Sequence, residues 1–387
     1  MVAISCSTKL WAFSLAEQMQ KNGKLDALFT SYAYQKNIFL RKLVKRIDKE
    51  EIPADKIHTN TVLAFPIKLM PSRAHVWNNL FDHWVAGQIN KSSSKIFIGW
   101  SGMSLHAIRA AKKNKMITIV ERGSTHIEYQ DEILQEEYRR FGIKFFVHPA
   151  VIEKELQEYE EADYISVPSL FVKKTFLEKK IPEGKLIMNP FGASSFFKPG
   201  EKKDDLQDKK FKIVYLGTLS IRKGLIYLFE ALHLLSIPEN EFEVLFIGSV
   251  EKQLEPFIEK FKKANWKFYG HINHYELPQY LSQVDVGVQP SLEEGLSMVI
   301  PQLLACAVPM IVTPNTGGEN IVTDGYNGFI IPVRSPQAIA EKIELLYHDK
   351  QKLLAMKQNA TEVIKKSFTW DDYGNRYNDF INKLVAQ

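Results

Sequence analysis

Short runs of β-branched and aromatic residues alternate with helix-like stretches along nearly the whole chain, and that alternation confines it to parallel sheets with crossover helices. In the first half the strand candidates are "VAISC", "DALFT", "KIFIGW", "MITIVE" and "DYISVP", separated by periodic segments such as Leu10 to Gln20 and Leu105 to Lys112. A lysine-rich stretch without apolar period, "KPGEKKDDLQDKKFK", then interrupts the pattern. Beyond it the alternation restarts with "KIVYLG", "EVLFIGS", "WKFYG", "VGVQPS", "MIVTP" and "GFIIPV". The expected fold class is therefore α/β, with two doubly wound Rossmann-like domains facing across a cleft. Residues 1–198 form the first domain, 199–211 a linker and 212–367 the second domain. A last helix over 368–387 carries Trp370, Tyr373, Tyr377 and Phe380 on one face, to be docked back towards the first domain.

Size agrees with this division, because 387 residues exceed what one hydrophobic core normally serves. Hydrophobic residues at 45% and charged residues at 25% are ordinary for a globular protein and leave enough apolar side chains for two cores. The two cysteines, Cys6 and Cys306, each sit in an apolar run and read as small buried hydrophobes of a reducing compartment. The N-terminus enters a β-like run with no basic segment and apolar stretch of the secretory kind, so a cytoplasmic location is expected. The most apolar region, Met298 to Val312, is broken by Pro301, Gln302 and Pro309, short of the ~20 unbroken residues of a membrane span. A net charge of +5 is too mild to name a partner, and no nucleic-acid-binding motif accompanies it.

Ligands of doubly wound sheets bind outside the carboxyl ends of the strands, so the loops there carry the argument. At the first such end of the second domain, "YLGTLSIRKG" places Arg222 and Lys223 at a helix start, where the macrodipole disfavours cations unless an anion lies near. In "EEGLSMVIPQ", Pro301 is tolerated only near a first helical turn, so a helix starts close to Ser297. Its backbone N–H groups around Gly295 to Met298 face the same cleft as the two cations, an arrangement suited to a diphosphate. Gln302 points back towards a ligand that Glu294 meets from the turn, and such acceptors suit sugar hydroxyls. A third loop, with Gly317 and Gly318, permits close backbone approach.

Taken in order, "YLGTLSIRKG", "FIGS", "FYGHINHYELPQYLSQVDVGVQPS", "EEGLSMVIPQLLA" and "TGGENIVTDGYNGFIIP" resemble the donor-binding half of the retaining, GT-B-fold glycosyltransferases of glycosyl transferases group 1 (glycosyltransferase family 4). The likeness extends back through "EADYISVPSLFVKKTFLEKKIPEGKLIMNPFGASSFFKP" and covers most of residues 115–387. It implies transfer of a sugar from a nucleotide diphosphate sugar, with retention at the anomeric carbon, to a glycan or lipid-linked acceptor hydroxyl, without a metal or other cofactor. By the same resemblance, Lys223 with Arg222 neutralises the departing diphosphate and Glu294 contacts the donor sugar. The backbone of Leu296, Ser297 and Met298 meets the phosphates, Gln302 the ribose, and Gly270, His271 and Ile272 the base. His126, in "TIVERGSTHIEYQDE", stands where the family carries an active-site histidine, and Arg122 on that loop is a weaker candidate. The chain departs from the family pattern with Gln302 in place of a second glutamate seven residues beyond the first, and with Thr218 where an arginine is usual. A third departure is "SCSTKLWAF" in place of a glycine-rich loop after the first strand, leaving Thr8 and Lys9 as guesses for acceptor contacts.

Residues 38–49 spell a basic amphipathic helix, with Phe39, Leu40, Leu43, Val44 and Ile47 on one face and Arg41, Lys42, Lys45, Arg46 and Lys49 on the other. Peripheral contact with the anionic cytoplasmic leaflet is one expectation from it, and a solvated surface helix the other. Two further functional classes stay open beside the transferase: a non-catalytic nucleotide-sugar-binding or scaffolding subunit, and a GT-B-fold epimerase acting on the sugar nucleotide itself.

Overall fold

The structure, a computed structural model, describes residues 1–31, 52–63, 73–200 and 210–385. The helix expected over 38–49 and most of the linker expected over 199–211 lie outside the described residues.

Seven parallel strands form the first sheet in the order β3-β2-β1-β4-β5-β6-β7. They are β1 (Val2–Ser5), β2 (Leu25–Thr30), β3 (Ile57–Thr59), β4 (Ile96–Trp100), β5 (Ile117–Glu121), β6 (Tyr164–Val167) and β7 (Leu186–Met188). Six strands form the second in the order β10-β9-β8-β11-β12-β13, namely β8 (Phe211–Leu216), β9 (Phe242–Ile247), β10 (Trp266–Gly270), β11 (Val286–Gln289), β12 (Met310–Val312) and β13 (Gly328–Ile330). The central strands are buried along their whole length because helices cover both faces, which is why they read as unbroken apolar runs. β1 pairs with β4 as Ile4 opposite Ile98, and β8 pairs with β11 as Ile213 opposite Val286. The order therefore reverses between β1 and β4 in one sheet and between β8 and β11 in the other. Those two switch points define where a ligand crevice opens.

Every strand expected from the sequence is present. β3 and β7 are additional, and their three residues each are too few to show alternation. One apolar cluster runs from β1 and the helix Ala12–Lys21 through Phe191, Ala193 and Phe197 to Val214 and Leu216 of β8. Both cysteines are buried within it, and burial pushes each thiol up to about 12.

The helix Trp370–Val385 crosses back to the first sheet. The hydroxyls of Tyr373 and Tyr377 donate to the Glu121 carboxylate at the end of β5, and Trp11 Nε1 donates to the same group at 2.7 Å. Burial raises the Glu121 pKa, and these donors, with Ser166, partly offset it. Arg376 ties the helix to the interdomain segment through Asn189 Oδ1 at 2.8 Å and the Pro190 carbonyl at 2.6 Å. Among the described residues no helix is long and apolar enough to cross a membrane.

Candidate active site between the two sheets

A cleft of about 530 Å³ opens over both switch points. Its wall in the first domain is Lys9, Leu10, Ser14 and Glu17, from the loop after β1 and the helix that follows. Opposite stand Gly217 and Thr218 after β8, Gly248 and Ser249 after β9, and Met298, Val299 and Gln302 around the start of the helix Val299–Ala305. The far end is lined by His271, Ile272, Asn273, His274 and Tyr275 after β10. Gly248 has a φ of 146°, and a Cβ there would collide with the Gly217 carbonyl, so only glycine lets these two strand-end loops meet.

The residues expected to touch a nucleotide sugar divide into two groups. Thr218, His271, Ile272, Met298 and Gln302 line the cleft, with Gly270 ending β10 just before it. Arg222, Lys223, Glu294, Gly295 and His126 do not line it; they gather where the loop after β5 meets the turn after β11. The helix Val299–Ala305 begins two residues beyond Ser297 and carries Pro301 in its first turn. Of the turn's amides, that of Ser297 is engaged with the Thr316 carbonyl at 2.9 Å.

The two cations at the helix start are compensated from within the chain. Lys223 is ion-paired with Glu294, and Arg222 Nη1 lies 2.9 Å from Glu293 Oε2. Burial and the Arg222 guanidinium hold the Lys223 ammonium below its ordinary value, with Glu293 and Glu251 opposing. Glu293, which the sequence reading passed over in favour of its neighbour, is fully buried and is the most heavily bonded carboxylate of the site. It accepts from the Ser124 hydroxyl at 2.6 Å, the Thr125 amide at 3.1 Å, the Thr125 hydroxyl at 2.7 Å and Gln130 Nε2 at 3.0 Å. Burial alone would raise its pKa, but Arg222, Ser124 and Thr125 together bring it down to about 2. Since Ser124, Thr125 and Gln130 belong to the first domain and Arg222 to the second, this carboxylate holds the two domains together. Only its place beside Glu294 and after a strand marked it in the sequence.

The contact is close enough to restrict the backbone. A Cβ on Gly295 would strike the Gly123 carbonyl, and Ser169 Oγ donates to the Gly295 carbonyl at 2.6 Å. The amides of Leu170 and Phe171 donate to Asn320 and Glu319 of the glycine loop after β12.

His126 is the N-cap of the helix Ile127–Arg140, its Nδ1 accepting from the Glu128 amide. The ring is 2% exposed and packs on Tyr159 and Phe176, with centroids 5.1 and 5.0 Å away. Burial, Arg122 and Lys179 lower its pKa to about 4, so the imidazole is neutral near pH 7 and carries its proton on Nε2. Arg122 is also buried and pairs with Glu155 at 2.8 Å, a structural ion pair. In place of a glycine-rich loop, Trp11 lays its indole over Gly123 and against Trp100 and Phe191.

Two Rossmann-like domains with a cleft over both switch points define the GT-B architecture. Residues 198–363 match the family model described as Glycosyl transferases group 1. Among similar proteins, EpsD of Bacillus subtilis is 33% identical over 150 residues, which are 38% of this chain and 39% of that one. The capsular polysaccharide biosynthesis glycosyltransferase CapM of Staphylococcus aureus is 25% identical over 263 residues, 62% of this chain and 67% of its own. The chain thus spans about two fifths of the first relative's length and two thirds of the second's. Among solved structures, sucrose-phosphate synthase from Thermosynechococcus elongatus superposes with a TM-score of 0.75 at 16% identity, over 100% of this chain and 99% of that one. HepE of Anabaena in complex with UDP and glucose gives 0.71 at 14% identity, over 99% of each chain. At these identities the likeness is one of fold.

Proposed function

We propose that the chain is a glycosyltransferase that moves a sugar from a nucleoside diphosphate sugar to an acceptor hydroxyl, with retention and without a metal, in assembling a surface polysaccharide or glycolipid. The observation that carries this reading is the cleft over both switch points. Its far end offers ring-bearing side chains and backbone to a base, and its near end converges on Thr218, Met298 and Gln302, at the end of the turn that Glu294 begins. The CapM name, with its capsular polysaccharide biosynthesis, and the HepE complex with UDP and glucose support the same reading.

On this reading the base lies along Gly270, His271 and Ile272, and Gln302 hydrogen-bonds the ribose without charge assistance. Thr218 and the turn from Gly295 to Met298 border the phosphates. Lys223 and Glu294 exchange partners when the donor enters, the ammonium turning to the diphosphate and the carboxylate to the sugar hydroxyls. The Lys223–Glu294 ion pair keeps both buried charges compensated until then. His126, neutral and packed on Tyr159 and Phe176, reaches the sugar side only if its ring turns out of that pocket. In the chemical step the bond from the anomeric carbon to the diphosphate oxygen breaks while the acceptor oxygen bonds the same face. The departing diphosphate takes the acceptor proton, so no side chain is needed as general base. Catalysis is then positioning and charge stabilisation in a closed cleft, where a single well-placed donor contributes on the order of 3 kcal/mol.

The test is a thermal-shift panel of UDP, GDP, ADP, TDP and their sugar conjugates, followed by donor hydrolysis with and without EDTA. Stabilisation by one nucleotide family, lost in Lys223→Ala, and turnover unchanged by EDTA are expected. A protein that no conjugate stabilises at millimolar concentration would refute the reading.

A further inference from the structure

A second cavity crosses the domain contact, and no described residue lines both it and the cleft. It measures about 550 Å³, within the ~300–1,000 Å³ typical of ligand sites. The first domain supplies Tyr129 and one side of the helix Leu170–Glu178, and the second supplies Pro314, Asn315 and Glu319 from the loop after β12. The rings of Tyr129 and Phe171 meet edge to face with centroids 5.8 Å apart. Beside them Leu170 and Leu177, on one face of the helix, are 49% and 40% exposed. Each lysine of the wall already has a carboxylate: Lys173 pairs with Glu183 at 2.7 Å and Lys174 with Glu178 at 3.8 Å, so the wall holds no surplus of positive charge for a phosphate or an acidic sugar. Glu319 is different. Its Oε1 accepts from the Phe171 amide at 2.7 Å across the domain contact, while its buried Oε2 accepts no hydrogen bond among the described residues. A buried acceptor left unmatched is costly, and a hydroxyl entering the cavity would supply the missing donor. Burial raises the Glu319 pKa, which disfavours the bare charge that a cationic ligand would need.

We propose that this cavity binds a neutral glycan, whose pyranose rings lie against the Tyr129–Phe171 pair and give a hydroxyl to Glu319, at a site separate from the donor cleft. Apolar C–H faces suit the rings and the two leucines, and hydroxyls suit the unmatched carboxylate oxygen. The inference rests on the transferase reading above for the glycan itself, which such an enzyme extends, and adds a second place to hold it. Asn315 donates to the Leu292 carbonyl at 2.8 Å, and the Thr175 hydroxyl oxygen accepts from the His126 amide at 3.0 Å. The cavity thus lies directly behind the two loops that carry Glu294 and His126. Because its walls come from both domains, a glycan is in full contact only while they are docked, and its binding favours the docked state.

The experiment is a glycan array probed with the labelled full chain, followed by isothermal titration of the best-retained neutral oligosaccharide, its component monosaccharides and UDP, GDP and ADP. The proteins are the wild type, Tyr129→Ala and Glu319→Gln, the last of which keeps an acceptor for the Phe171 amide and removes only the free carboxylate oxygen. Both variants should bind the oligosaccharide roughly five-fold or more weakly while holding the nucleoside diphosphate as the wild type does. In the wild type the oligosaccharide should also slow hydrogen exchange at the Leu170 and Phe171 amides, which donate across the domain contact. Retention of no neutral glycan, a preference for acidic glycans, or equal affinity in all three proteins would overturn the glycan site. A monosaccharide that binds as tightly as the oligosaccharide would overturn the glycan in favour of a single free sugar. Each of these results leaves the donor site standing where a diphosphate binds, whereas a wild type that binds the glycan and no diphosphate would overturn the donor-site reading alone.

Discussion

Replacing Glu293 with glutamine removes one charge from the centre of the domain contact and keeps its shape. The buried carboxylate is held at about 2 against an ordinary 4.5, and at 1.36 kcal/mol per pH unit that depression is worth about 3 kcal/mol of native-state stability at neutral pH. Truncation to alanine leaves Arg222 without its partner and the Ser124, Thr125 and Gln130 donors unmatched, and breaking a buried pair in this way costs about 3–5 kcal/mol. The sign follows from the direction of the shift. Because the folded value is depressed, the stabilisation is complete above the unfolded value near 4.5 and is lost as the pH falls towards 2. Urea unfolding of Glu293→Gln should therefore show a deficit of about 3 kcal/mol at pH 7 that narrows below pH 4.5. Hydrogen exchange over residues 122–130 supplies a local readout, since the Thr125 amide donates to this carboxylate and should lose protection. Wild-type stability and unchanged protection in Glu293→Gln at pH 7 would refute the bridging role.

Three further outcomes follow from the same structure. Gly295→Ala should fold with an unchanged circular dichroism spectrum but lose more than ten-fold in turnover, because its Cβ would push the turn off the Gly123 carbonyl; wild-type turnover would contradict that close approach. His126, lowered to about 4, favours the folded state fully above the ordinary 6.5 and less as the pH falls between the two values. The variant His126→Asn, which keeps an N-cap acceptor, should flatten the stability profile over that range in thermal melts. Tyr377→Phe should loosen the last helix, seen as faster limited proteolysis after residue 369, since it removes a donor from the buried Glu121; unchanged proteolysis would mean that the apolar face alone seats the helix.

Much of the architecture was legible because hydrophobic patterning carries it. Apolar runs such as "KIVYLG" and "VGVQPS" are buried on both faces of parallel sheets, and no other element accounts for them. The strands Ile57–Thr59 and Leu186–Met188 escaped because edge strands of three residues leave no period to detect. The start of the helix near Ser297 was readable from Pro301, whose ring fits only a first turn. The distribution of charge around it was not readable. Adjacent acids at 293 and 294 look alike in a sequence, yet one ends at a domain boundary with four donors from the facing loop and the helix that follows it, and the other pairs with Lys223.

Local order and composition thus determined the two Rossmann-like halves, the strand ends that carry the loops and the residue types available there. These depend on side-chain periodicity and on the fixed torsions of proline and glycine, which act within a few residues. Tertiary structure alone decided which carboxylate meets which cation and that His126 turns into an aromatic pocket. It also decided that Lys9 and Trp11 face loops more than a hundred residues away. Such pairings are set by how two separately specified sheets dock, and the energies that select them come from burial and from charges brought together across the cleft.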